Sequence, residues 1–205
     1  MAKQKQTASV KAGNVRLSQA AKLLRLPPGV RDQGGAKGAK RIKLVSIVDL
    51  PSSGFVAGVS NSISLNPGRF NEINKYVLKP YDLLMSIQGT VGVIGILPEK
   101  ISGAWMANIS LLTIRFLENK FENAIALLAY LRAPAGKNAI KSLEKGTTIK
   151  RINVKDFAKI QIPELNAQIT KEAKKIFDSE IKTFEKIDAL LETIQEVRSG
   201  YLKGK

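Results

Sequence analysis

The chain has 205 residues, 44% of them hydrophobic, and it contains no cysteine and no histidine. This length suits one hydrophobic core with an appendage rather than two full domains. Without these two residue types, disulfides, thiolate or histidine-ligated metal sites, and Ser–His–Asp or Cys–His catalysis are excluded. No apolar run approaches the roughly 18 residues of a membrane span, and no signal peptide is recognisable, so we expect a soluble cytoplasmic protein.

The formal net charge of +16 is unevenly distributed. Residues 1–50 carry 11 lysine or arginine residues against two acids, residues 51–163 carry 14 against seven, and residues 164–205 carry eight of each. Such a field attracts polyanions, although a high charge also simply keeps a protein soluble. The excess positive charge therefore indicates a nucleic-acid partner for the part of the chain that precedes residue 164.

The first part of the chain is rich in glycine and lysine. Residues 1–14 are predicted to be a flexible basic arm, and Val15–Leu26 a helix, or a strand and a helix, ended by Pro27 and Pro28. The loop Gly34–Arg41 alternates small residues with lysines, which would let its backbone approach a phosphate closely. A solvated flexible loop is an equally good interpretation.

Short β-prone runs separated by turn residues then dominate the chain. We predict strands at Ile42–Val48, Ser62–Leu65, Leu83–Ile87, Val91–Leu97, Ile109–Phe116 and Phe157–Ile162. Their spacing is typical of an irregular, mostly antiparallel sheet rather than of βαβ units. Asn119 is the predicted cap of a helix that runs to Leu131, and Lys137–Leu143 is a second short helix.

Residues 164–205 contain no proline and no glycine before Gly200, which predicts one long helix of roughly 55 Å at about 1.5 Å per residue. Its apolar residues follow a heptad-like pattern, typical of pairing with another long helix. The predicted contacts are Phe177, Phe184, Ile187, Leu191, Ile194, Val197 and Tyr201. Docking of the helix along its own domain is the alternative. The sequence thus predicts an α+β fold, with an irregular β domain at 15–163, short helices, and a helix forming an intermolecular coiled coil.

Four motifs in order resemble the specificity subunits of type I restriction–modification systems. The run Tyr81–Gly92 (YDLLMSIQGTVG) is similar to the "GD-apolar-apolar-(I/V)S-x-x-G-(T/S)-(I/V)-G" core of their target-recognition domains. Gly146–Ile152 (GTTIKRI) is similar to the "G-(S/T)-T-I-x-x-(I/L)" segment, and Ile160–Glu164 (IQIPE) to the junction before the spacer helix, where Gln168 stands at the family's "EQ". Two departures are Tyr81 in place of glycine and Leu165 where proline is common.

The resemblance implies a non-catalytic DNA target-recognition domain at 15–163 and a spacer and dimerisation helix at 164–205. Family members usually hold two such domains and two antiparallel helices, so this chain resembles a half-subunit. Two copies would pair as an antiparallel homodimer and read an interrupted palindrome in double-stranded DNA. The family also implies a DNA methyltransferase partner that carries S-adenosylmethionine, and a restriction subunit in the full complex; we expect no cofactor on this chain.

Lysines and arginines are the expected phosphate contacts, and Asn, Gln and Arg the expected base contacts. The predicted DNA-binding residues are Lys37, Lys40, Arg41, Lys43, Asn61, Asn66, Arg69, Lys137, Asn138, Lys141, Lys145, Thr147, Thr148, Lys150 and Arg151. Gln88 is a further candidate, for which a role in strand–turn structure is the stronger interpretation. Trp105 is interpreted as a core aromatic rather than a stacking platform.

Three alternatives remain open at this stage. An RNA-binding or ribosome-associated protein would carry the same charge, although aromatic residues make up only 6% of the chain. A carboxylate-only nuclease would use Asp82 with Glu99 and Lys100, but the acid and the lysine lack the usual intervening residue. A decoy that occupies a methyltransferase without reading DNA is disfavoured because a DNA mimic should be acidic.

Overall fold

A computed structural model describes residues 13–35 and 37–203 of the chain, and the predicted α+β class is confirmed. The strands are β1 Asn14–Arg16, β2 Ala21–Leu24, β3 Lys40–Val45, β4 Ser62–Leu65, β5 Leu83–Ser86, β6 Ile94–Ile96, β7 Ala104–Ala107, β8 Leu111–Phe116, β9 Glu144–Lys145, β10 Arg151–Ile152 and β11 Gln161–Pro163. The helices are α1 Leu17–Ala20, α2 Pro67–Ile73, α3 Phe121–Arg132, α4 Pro134–Ser142, α5 Val154–Phe157 and α6 Ala167–Lys203, with 3₁₀ turns at Ile47–Asp49 and Asn74–Tyr76.

The sheets are small and mostly antiparallel, as predicted. A central antiparallel sheet has the strand order β2-β8-β5-β6, and a second sheet has the order β4-β3-β7 with β3 and β7 parallel. The first and last strands of the domain, β1 and β11, pair with each other, so that Asn14 lies opposite Pro163. The domain therefore begins at or before Asn14, inside the segment predicted to be an arm; residues 1–12 of that arm lie outside the described residues.

The central strand β5 is buried on both faces, which explains its uninterrupted apolar sequence. Leu83 and Met85 belong to the main core, together with helix α3. Leu84 points to the opposite side, where it joins a second cluster with Trp105 and Leu111. The sheet is thus the middle layer between the α3 side and the β7 side of the domain.

Several predicted strands are shorter than the apolar runs that suggested them. Only Ile94–Ile96 of the run 91–97 is strand, because Gly92 adopts a φ of +85° and its N–H donates to the Ser86 carbonyl in a turn. The strand predicted at 157–162 is wrong at its start: Asn153 caps α5, which ends at the buried Phe157. Strand β7 was missed because two of its four residues are alanines, which have weak strand preference.

Two helix boundaries also differ from prediction. Asn119 does not cap α3, since its amide donates to the Pro80 carbonyl and the helix begins at Phe121. Pro134 does not merely end α3; it occupies the first turn of α4, where a missing N–H costs nothing. The segment from Val15, predicted as a helix or as a strand and a helix, is a strand and a short helix (β1 and α1) followed by a further strand, β2.

A buried ion pair fixes the start of β5 against β8. Asp82 is fully buried, and its carboxylate accepts hydrogen bonds from Arg115 Nε at 2.8 Å, from Arg115 Nη2 at 2.6 Å and from the Lys79 N–H at 2.8 Å. Burial raises the pKa of the Asp82 carboxyl, and the bonds from Arg115 oppose that rise. The preceding Tyr81 has a φ of +64°, the left-handed region that favours glycine.

Helix α6 has a docked half and an exposed half. Phe177 is 3% exposed and its ring meets Phe55 and Phe121 edge-on, with centroids 5.2 and 5.7 Å away. An ion pair between Arg132 and Glu180, with Nη1 2.9 Å from Oε2, adds a second attachment. The prediction of Phe177 as an intermolecular contact is therefore wrong: the beginning of the helix docks along its own domain.

The apolar residues beyond Ile181 do not share that burial. Phe184 is half-buried, whereas the large aliphatic residues after it are 42–68% exposed: Ile187, Leu190, Leu191, Ile194 and Val197. The side chain of Tyr201 lies outside the described residues. The coiled coil thus stays a prediction for this second half of α6. None of the described helices has a stretch long and apolar enough to span a bilayer.

The Asp82–Arg115 pair gives the first testable prediction. Asp82→Ala leaves the largely buried Arg115 guanidinium without a counter-charge, so the free energy of unfolding should fall by about 3 kcal/mol. The matched control, Glu118→Gln, removes the exposed pair with Lys120 and should leave the free energy of unfolding almost unchanged, because solvent screens that pair. Urea unfolding measures both; equal losses would contradict the account of the buried pair.

Candidate nucleic-acid interface

The first group of predicted cations lies on an exposed strand. Arg41 and Lys43 are separated by the fully buried Ile42, so both project from the solvent face of β3. They lie opposite Ser64 and Ser62 of β4 in antiparallel register, and Arg41 Nε donates to Ser62 Oγ at 3.0 Å. We call these four residues with Lys40 the strand cluster.

Aromatic rings hold two of these ammonium groups in place. Lys40 Nζ lies 4.3 Å from the Phe70 ring centroid, and Lys43 Nζ lies 5.2 Å from that of Trp105. A shallow cleft of about 230 Å³ lies beside Arg41 and Lys43, and it is lined by Arg41, Lys43, Val59, Ser60, Asn61, Ser62, Ser102, Gly103 and Ala104. Cations, hydroxyls and an exposed amide together suit hydrogen bonding to phosphates and base edges.

The other candidates near this strand differ in availability. Lys37 and Asn61 are exposed. Asn66 has a local task instead, because its Oδ1 accepts from the Arg69 N–H at 2.8 Å and caps α2. Arg69 is paired with Glu72 at 2.6 Å, which reduces its free charge. The predictions of Asn66 and Arg69 as base readers are thus weakened by bonds within the domain.

The second group of candidates surrounds a short hairpin. Strands β9 and β10 pair two residues each, and the connecting loop exposes Thr147 and Thr148. Position 146 requires glycine for two reasons. Its φ is +101°, and a Cβ added there would lie 2.5 Å from the Ile149 carbonyl oxygen. The exposed cations and polar residues of α4 and of this hairpin form one group, which we call the hairpin cluster: Lys137, Asn138, Lys141, Lys145, Thr147, Thr148, Lys150 and Arg151.

Part of the charge in the hairpin cluster is balanced within the domain. Lys150 Nζ lies 2.7 Å from Glu144 Oε2, and Lys145 Nζ lies 3.3 Å from Asp156 Oδ2. The Lys145 ammonium lowers the pKa of the Asp156 carboxyl, which keeps this pair charged. Among the described residues, Lys137, Lys141 and Arg151 make no ion pair and are the cluster's available cations.

Among the described residues, no hydrogen bond or ion pair joins the strand cluster to the hairpin cluster. Sequence reasoning missed Ser62 and Ser64. The alternation of polar and apolar residues through Ser62–Leu65 is the signal that could have placed them on one face of the strand.

Two aromatic and polar residues have the structural roles favoured from sequence. Trp105 is 4% exposed and donates from Nε1 to the Ser102 carbonyl at 2.9 Å, so it is a core residue. Gln88 is half-buried and bridges to Arg151 through the backbone. Asp82, the acid of the nuclease alternative, is committed to Arg115 and Lys79, and the described residues contain no group of three acids able to hold a metal ion.

The described residues thus form an irregular sheet domain with exposed cations, continued by a projecting helix. The sequence matches the profile described as type I restriction modification DNA specificity domain over residues 42–196. Because this match covers most of the chain, the protein belongs to that family, and the resemblance inferred from the motifs is confirmed. This is a family of recognition domains rather than catalytic ones. No curated protein sequence matches the chain.

Solved structures share the fold at low sequence identity. The S subunit of the M. genitalium type I system matches 97% of this chain and 46% of its own length, with 17% identity and a TM-score of 0.53. The HsdS subunit of Thermoanaerobacter tengcongensis matches over 90% and 41%, with 16% identity and a TM-score of 0.56. A chain from a study of type I complex assembly and conformational transition matches over 94% and 43%, with 17% identity and a TM-score of 0.58. The protein spans less than half the length of these chains.

The different roles of two asparagines can be tested. Asn66→Ala removes the cap of α2 and should lower the free energy of unfolding by about 1 kcal/mol. Asn61→Ala, in the exposed cleft, should change it by less than about 0.5 kcal/mol. Urea unfolding of the two variants gives the comparison, and an Asn66 variant as stable as wild type would contradict the capping role.

Proposed function

We propose that this chain recognises one half of a bipartite sequence in double-stranded DNA and directs a partner DNA methyltransferase to it. Membership of the DNA-specificity family is the observation that carries the proposal. The methyltransferase would supply S-adenosylmethionine, and a restriction subunit would join it in the full complex. Cytoplasmic location belongs to the same proposal, because the substrate is genomic DNA.

The distribution of charge supports DNA as the ligand. The strand cluster presents Arg41 and Lys43 on a rigid strand beside serine hydroxyls, and the hairpin cluster presents Lys137, Lys141 and Arg151. Cations in such positions bind phosphates, and the nearby amides and hydroxyls supply the hydrogen bonds that distinguish base edges. Helix α6, by contrast, lies in a segment with equal numbers of acidic and basic residues.

The exposed half of α6 supports pairing of two copies. Ile187, Leu191 and Ile194 recur at steps of four and three residues, the spacing of a coiled-coil seam, and all three are at least 42% exposed. A second α6 running antiparallel would cover this seam by two-fold symmetry and place one recognition domain at each end. The two domains would then read inverted, identical half-sites.

Charge reversal tests the DNA-binding part of the proposal. Changing Lys37, Lys40 and Arg41 together to Glu should weaken binding to all duplexes and reduce the slope of log K against log salt by about 2.7, because each of the three phosphate contacts contributes about 0.9. The control changes Lys171, Lys174 and Lys175, exposed on α6, to Glu and alters the net charge equally. A fluorescence-anisotropy titration over a salt series measures both.

Identical salt slopes for the variant at Lys37, Lys40 and Arg41 and for the α6 control would show that these three residues do not belong to the interface. Tighter binding of wild type to single-stranded RNA than to duplex DNA at the same salt would instead favour the RNA-binding alternative.

Substitutions on the helix test the pairing. Ile187→Glu with Leu191→Glu places two charges in the proposed seam of each copy, and the dimer dissociation constant should rise roughly ten-thousandfold, since about 1.5 kcal/mol is lost for each of the four aliphatic side chains that the two copies contribute. Ala189→Glu is the matched control, because Ala189 lies two residues from both and on the opposite face of the helix. Sedimentation equilibrium measures the constants; a wild-type monomer at tens of micromolar would contradict the proposal.

A further inference from the structure

The turn between β5 and β6 is held by a buried hydroxyl together with backbone hydrogen bonds, among them that from the Ser86 N–H to the Val93 carbonyl at 2.9 Å. Ser86 is fully buried; its Oγ donates to the Thr90 carbonyl at 2.5 Å and accepts from the Val93 N–H at 2.9 Å. Its own backbone carbonyl accepts from the Gly92 N–H at 2.9 Å. One residue therefore holds both ends of the segment 86–93, which we call the 86–93 turn.

The 86–93 turn in turn holds the β9–β10 hairpin. The Gly89 N–H donates to the Lys150 carbonyl at 3.0 Å, the Ile152 N–H donates to the Ile87 carbonyl at 2.9 Å, and Gln88 bridges to Arg151. A hairpin of two residue pairs has too few contacts of its own to be stable. Its position thus depends on the backbone of the turn.

Helix α4 rests on the same turn. Gly92 adopts a φ of +85° and packs closely against Ile140: a Cβ added at Gly92 would lie only 3.2 Å from Ile140 Cγ2. Ile140 is 4% exposed and belongs to the helix that carries Lys137 and Lys141. The two elements that present the hairpin cluster therefore both contact the 86–93 turn.

We propose that Ser86 is a positioning residue for DNA binding: its hydroxyl helps to fix the 86–93 turn, and the turn positions the cations of the hairpin cluster. This inference rests on the proposed function. Ser86 is buried and touches no ligand itself. Its effect on DNA is transmitted through Lys141 on α4 and Arg151 on β10.

Removal of the hydroxyl is the direct test. Ser86→Ala should accelerate hydrogen exchange of the Val93 amide at least about tenfold, weaken duplex binding about fivefold to tenfold, and lower the slope of log K against log salt by about 1 to 2. The matched control is Thr113→Val, which removes a buried hydroxyl from the neighbouring strand β8 and should leave the salt slope unchanged. Thermal unfolding of both variants reports any general loss of stability.

A double-mutant cycle separates positioning from general destabilisation. In a background carrying Lys141→Ala and Arg151→Ala, Ser86→Ala should cause no further loss of affinity, because the groups through which it acts are gone. If Ser86→Ala weakened duplex binding in that background by the same factor as in the wild-type chain, the inference would be overturned. Gly89→Ala provides a second variant, since it strains a φ of +79° at an exposed position with no atom within 4 Å of the new Cβ, and it should reproduce the effects of Ser86→Ala.

The outcomes distinguish this inference from the function on which it rests. A wild-type chain that binds no duplex would overturn both. A wild-type chain that binds duplex, with Ser86→Ala of equal affinity and salt slope, would overturn the role of Ser86 alone and leave the proposed function standing.

Discussion

Burial of the Phe177 ring between Phe55 and Phe121 joins the long helix to the domain that precedes it. The Arg132–Glu180 pair attaches the helix again one turn later, at 2.9 Å. With two attachments on one face, the direction in which α6 leaves the domain is set by packing rather than by a hinge. The exposed apolar residues beyond Ile181 project from a fixed base, so a partner helix that covered them would also fix the distance between two recognition surfaces.

Rigid mounting is likewise the common feature of the basic surface. Arg41 and Lys43 project from a strand paired on both sides, and the hairpin that carries Arg151 is bonded to the 86–93 turn. Side chains on ordered elements lose less conformational entropy on binding than those on free loops. The buried Ser86 hydroxyl and the Asp82–Arg115 pair stabilise the two ends of β5, the strand that leads into the 86–93 turn. The polar residues of this otherwise apolar segment therefore both support the turn.

The sequence allowed the fold class, the long helix and the family to be predicted, because these depend on patterns that extend over many residues. Boundaries depending on one local bond were predicted poorly: Asn119 has capping chemistry but bonds to Pro80, and the run at 91–97 is interrupted at Gly92. The heptad pattern assigned Phe177 to the contact with a partner helix, because the spacing of apolar residues does not show whether the same domain or a second chain covers them. Asn66 was named as a base reader on residue type, whereas its role follows from the helix that starts beside it.

The central claim is that two identical readers, held apart by paired helices, recognise one duplex. It is tested most directly by selecting duplexes from a random library with the wild-type chain and sequencing those that bind. The account predicts enrichment of one motif repeated in inverted orientation, with a spacer of constant length between the two copies. Enrichment of a single asymmetric motif, or of none, would contradict it.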